Sequence, residues 1–170
     1  MDAPYRMLYL KRFKLWIVIA LATIAVVGSY FSFKAYERDW YRQKIPPEIL
    51  TGDAVLIDGE SGFREGCGVA IFKLADETKS KIAAHGMIAL DSESSHGQSA
   101  WTQTPYIITG DGLTLEDRWM AGTGCARMDV ELSKTLSDAL VKPGAFVKKL
   151  HESAVIVIPT AGIVALVYVG

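Results

Sequence analysis

The stretch Leu15–Phe33, LWIVIALATIAVVGSYFSF, constrains this chain more than any other. It holds no charged residue, no proline and one glycine, Gly28. A helix over it, at a rise of about 1.5 Å per residue, is roughly 28 Å long, against about 30 Å for a bilayer's hydrocarbon core. The stretch therefore reads as a single transmembrane helix. A cleaved signal peptide fits less well, because its apolar region runs about 7–15 residues and ends in a small-x-small site. This run is longer and leads into Tyr30, Phe31, Phe33 and Lys34.

The span divides the chain into a basic cytoplasmic tail at 1–14, the helix at 15–33, a helical juxtamembrane stalk at 34–45 and an exported domain at 46–170. Tyr5, Tyr9, Phe13 and Trp16 alternate with basic residues, as expected where a chain meets the membrane–water boundary. In the stalk, Tyr36 and Trp40 share one helical face, and Pro46-Pro47 should end the helix. The remaining residues, about 125, suffice for one domain with its own core.

A formal net charge of -1 hides an asymmetry. Met1–Lys44 carries 8 Lys+Arg against 3 Asp+Glu, whereas Ile45–Gly170 carries 10 against 16. An acidic domain repels phosphate, so nucleic acid is not expected as a partner. Lys and Arg are evenly shared across the two flanks of the span, so the positive-inside rule does not orient it. The cysteines do. Cys67 and Cys125 both lie in the large domain, and an even pair suits an oxidising compartment. The expected topology has the N-terminus in the cytoplasm and the domain outside. The chain contains no asparagine and hence no glycosylation sequon, which fits a bacterial inner membrane and periplasm.

Within the domain, Ala54–Ile57 and Cys67–Leu74 read as strands separated by turn chemistry, DGESG. DETKSKIAAH, Asp76–His85, reads as a helix capped by Asp76 and closed by Gly86. Met87–Leu90 reads as a short strand. Asp91–Gly124 has little periodicity beyond a brief strand at Tyr106–Ile108. Ser133 should cap a second helix over KTLSDALV, and AFVKKLHE should add a further helical turn or two. Ala154–Ile158 and Ile163–Val169, joined by Pro159-Thr160-Ala161-Gly162, read as an apolar hairpin covered on both faces; a second membrane-inserted segment is the rival reading. The expected fold class is α+β, with a mostly antiparallel sheet and two or three helices after the transmembrane helix.

Few residues announce chemistry. A Cys67–Cys125 disulfide would close a loop of about 59 residues and remove unfolded-state entropy worth roughly 4 kcal/mol. His85, His96 and His151 have no partner at metal-ligand spacing, so no metal and no cofactor is expected. Neither G-x-S-x-G nor a phosphate-binding glycine loop is present. Trp101, Tyr106, Asp111 and Trp119 form either a small core or a recognition surface. The function expected is that of a non-catalytic interaction or assembly module, anchored in the bilayer by Leu15–Phe33 and bound to a protein partner in the envelope. The alternatives are a small envelope hydrolase on a cell-wall or peptide substrate, with His96, Asp111 or Cys125 in a site at 91–124, and an immunity or exclusion factor.

Overall fold

Two consecutive runs near the C-terminus, SAVIVI and IVALVYV, are apolar at both strand parities. Side chains alternate across a strand, so strands built from such runs need cover on both faces. That requirement organises the molecule. The computed structural model describes residues 3–61, 66–90, 100–105 and 115–169, which fall into two compact units, Met1–Trp40 and Tyr41–Gly170.

The first unit belongs to one helix, α1, Ala3–Arg42. Its side chains from Phe13 to Tyr36 are all exposed. By length and composition α1 could cross a membrane. The chain turns after Arg42, with the Lys44 and Ile45 amides donating to the Tyr41 and Arg42 carbonyls, just ahead of Pro46.

The second unit is α+β. Its sheet has six antiparallel strands: β1 Thr51–Ser61, β2 Gly66–Leu74, β3 Thr102–Gln103, β4 Phe146–Lys149, β5 Ser153–Ile158 and β6 Ile163–Val169. They lie in the order β1-β2-β6-β5-β4-β3. The apolar hairpin β5–β6 pairs without interruption from Ser153↔Tyr168 to Ile158↔Ile163 and occupies the middle of the sheet. Gly162, at φ +66°, closes its turn by donating to the Pro159 carbonyl.

One face of the sheet presents Val69, Ile71, Ile156, Ala165 and Val167 to two helices. These are α3, Leu115–Gly124, through Trp119, and α4, Val130–Val141, through Leu136 and Ala139. The other face presents Phe72, Val155, Val157, Val164 and Leu166. It is covered by Ile45 and Ile49 of the entering chain, Ile82 of α2 (Asp76–His85), Leu90 of a 3-10 turn at Gly86–Leu90, and Trp101. The hairpin is thus the middle of three layers.

The structure corrects several expectations. Met87–Leu90 is part of the 3-10 turn, not a strand: Ile88 is exposed and Leu90 buried, and the segment closes α2 instead of pairing with the sheet. AFVKKLHE gives no helix; Phe146–Lys149 is β4. Gly144 at φ +112° stops helical continuation, and Phe146 and Val147 enter opposite cores, as a strand requires. Asp129, not Ser133, caps α4, its carboxylate accepting from the Leu132 amide at 2.7 Å. The stretch expected to be irregular contains α3 and β3, while Tyr106–Ile108 lies outside the described residues.

Gly122 explains how α3 approaches so closely. A Cβ there would run into Val167 Cγ1 and come within 3.2 Å of the Gly68 carbonyl oxygen. Gly122→Ala is therefore expected to destabilise the fold by about 1–3 kcal/mol through overpacking, read as a lower urea midpoint at unchanged slope. Gly124→Ala, with nothing within 4 Å of the added carbon, is the matched control.

Candidate functional site

Four places in the second unit bring chemistry-bearing side chains together or leave a feature open. The first is sulfur. Cys67 stands on β2, facing α3, and Cys125 follows directly on the end of α3. The close seat of Gly122 carries Cys125 to the sheet. The two sulfurs lie at disulfide distance, with Cα atoms 5.8 Å apart. Glu60 is the register partner of Cys67 on β1, and its carboxylate lies within 4.8 Å of both sulfurs. As a disulfide, the sulfurs offer no thiolate to a metal.

The second place is buried. Lys148 of β4 is 2% exposed and faces the layer that holds Trp101. Its ammonium lies 3.4 Å from Glu48 Oε1 and 5.5 Å from the centre of the Trp101 ring. The Trp101 indole N–H donates to the same carboxylate oxygen at 3.3 Å. The buried ammonium is thus met by an opposite charge and an aromatic face, while the carboxylate takes both the ammonium and the indole N–H. The cluster ties the Pro46–Leu50 connection to the sheet. Thr78, also buried, adds to this: its hydroxyl accepts from the Leu50 amide at 3.0 Å and donates to the Leu50 carbonyl at 3.2 Å.

The third place is a cavity of about 350 Å³ between the C-terminal turns of α4 and the β5–β6 turn, lined by Thr135, Asp138, Lys142, Gly144 and Thr160 among others. Its polar groups do not converge on a point, because Asp138 and Lys142 pair with each other at 2.9 Å. The fourth is the outer side of β1, whose one neighbouring strand among the described residues is β2.

Trp101 and Trp119 are 4% and 3% exposed, and each belongs to a different core on opposite sides of the sheet. They do not form one recognition surface. Tyr106, Asp111 and His96 lie outside the described residues. His85 and His151 are exposed, and His151 lies 3.6 Å from Glu152. Sequence reasoning missed the Glu48–Lys148 pair. Neither lysine of VKKL carries a mark of burial, and the partner of Lys148 lies 100 residues away.

Removing one member of a buried pair leaves the other charge uncompensated. Glu48→Ala is expected to cost about 3–5 kcal/mol in chemical unfolding, and the double change Glu48→Gln with Lys148→Met much less than either charge deletion alone. A double-variant loss equal to the sum of the two single losses would show that the two charges contribute nothing as a unit.

No family model matches the chain, and no curated protein or solved structure matches it.

Proposed function

We propose that the chain is a membrane-anchored protein-interaction module: α1 crosses a bilayer once through Leu15–Phe33, and the sheet domain lies outside the cytoplasm as a non-catalytic part of an envelope assembly. The observation that carries the reading is the surface of α1. Leu15, Ile17, Val18, Leu21, Ile24 and Val26 are between 44% and 70% exposed. Each such side chain loses about 1.5–3 kcal/mol relative to burial when it stays in water. A helix bearing this much apolar surface around its whole circumference belongs in lipid or against other helices, and its length matches the former.

The compartment is argued from sulfur. A cysteine pair held at disulfide distance persists where no cytosolic reductant reaches it, which favours the extracytoplasmic side. Binding, as against catalysis, is favoured by how the reactive groups are used. The Lys148 amine is enclosed by Glu48 and Trp101, and the Cys67 and Cys125 sulfurs face one another. Each of these groups is occupied in holding the fold.

Two measurements test the reading. Native membranes treated with an amine crosslinker and then washed with alkaline carbonate are expected to retain the chain in the pellet, together with a discrete adduct of higher mass. Recovery in the carbonate supernatant overturns the anchor, and uncrosslinked monomer at every crosslinker concentration overturns the binding role. Separately, Cys67 and Cys125 in acid-quenched membranes are expected to resist a mass-tagging maleimide until a reductant is added. Immediate double labelling would place the domain in the reducing compartment.

A further inference from the structure

Every strand of a sheet must end somewhere, and here the two edges are unequal. β3 is two residues long, whereas β1 has eleven, roughly 35 Å of edge at the usual strand rise. Among the described residues no strand lies beyond β1. Its first part is engaged: the Gly52 carbonyl accepts from Arg42 Nη2 at 3.0 Å, and the register with β2 shifts twice between Thr51 and Leu56. From Leu56 to Ser61 the ladder runs unbroken against Ile71 to Gly66. That half has the regular backbone an added strand requires, and Val55, 43% exposed, stands at its start.

We propose that the outer edge of β1 is a strand-addition site for an extended segment of a partner protein that carries lysine or arginine. The inference rests on the interaction-module reading and names the chemistry of the partner. Charge decides which occupant fits. β1 contains Asp53, Asp58 and Glu60 and no basic residue. Asp53 and Glu60 are exposed, while Asp58 accepts from the Arg127 amide at 2.6 Å on the α3 side. A second copy pairing edge to edge would bring six carboxylates and no basic residue of either β1 onto one ribbon, and like charges across strands are destabilising. A basic strand meets the same carboxylates as attraction, while backbone hydrogen bonds supply affinity and alternate side chains the selectivity.

The test uses the full chain in lipid nanodiscs and three fluorescent peptides of about nine residues. One alternates lysine or threonine with valine, one replaces its lysines by glutamate, and one keeps the lysines but has two central prolines. Fluorescence anisotropy is expected to show the basic peptide binding at least about tenfold tighter than either of the others. The double variant Asp53→Lys with Glu60→Lys, folded by circular dichroism, is expected to lose that preference and to favour the glutamate peptide. Hydrogen exchange of the Leu56–Ser61 amides should slow when the basic peptide is present. Equal binding of the proline peptide, no slowing of those amides, or no binding of the basic peptide overturns the proposal. If the crosslinked adduct survives in the double variant, the edge is not the docking site and the anchored-module reading stands. If the unaltered chain gives no adduct, that reading fails on its own.

Discussion

The double-sided burial of β5 and β6 is the constraint on which the rest of the domain depends. Ten of their thirteen residues are buried, and they alternate between two separate cores. Each buried Val, Ile or Leu contributes about 1.5–3 kcal/mol only while something apolar lies over it. The chain must therefore supply two covering layers. It does so with pieces that come before the hairpin in sequence. The entering segment, α2 and the 3-10 turn go to one face, and α3 and α4 go to the other. The same requirement keeps β5 and β6 in the interior of the sheet and, among the described residues, leaves its edges to β1 and β3.

The covering layers are thin, and each is secured by a different kind of link. α3 is ten residues long and is bound to the sheet by Gly122's close packing and by the sulfur pair at its end. On the opposite face the Pro46–Leu50 connection has no regular secondary structure. Glu48, Lys148, Trp101 and Thr78 hold it. A disulfide acts largely on the unfolded ensemble, by limiting the conformations available to a segment whose ends are 58 positions apart. The ion cluster acts only in the folded state, because it needs water excluded before the charges and the indole can serve one another. The two links respond to different insults, reductant in one case and loss of packing in the other.

What was legible in the sequence follows the same physics. The hairpin could be read because apolar residues at both parities, bounded by Pro159 and Gly162, have few other solutions. α2 was marked by Asp76 at its start and Gly86 at its end, although Asp76 is the first helical residue and Ala75, which offers no side-chain cap, stands at the cap position. The cysteine pair was inferable from its number and place. β4 was not legible, because Lys148, Lys149 and His151 look like the polar face of a helix. Glu48 and Trp101, both distant in sequence, make a buried lysine there tolerable. α3 was hidden by Gly122 and Gly124, which are poor helix formers. Gly122 is nonetheless suited to its place, since contact with Val167 leaves no room for a Cβ. Trp101 and Trp119, grouped by their nearness in sequence, are separated by the thickness of the sheet.

The two links also determine what kind of edge β1 is. Leu50, immediately before the strand, has its amide and carbonyl both bonded to Thr78, and the Ala75 amide donates to the same carbonyl at 2.9 Å. Near the other end, Asp58 accepts from the Arg127 amide, two residues beyond Cys125. Between these ties β1 pairs with β2 and rises from a hydrogen-bonded base to a sulfur-braced end. A strand held at both ends has already lost most of its conformational freedom. Ordering an edge is one of the larger entropic costs of adding a strand to it, and here folding has met that cost in advance. The backbone that carries its exposed carboxylates is therefore held in place, and the sign of the edge belongs to the fold as much as to the composition.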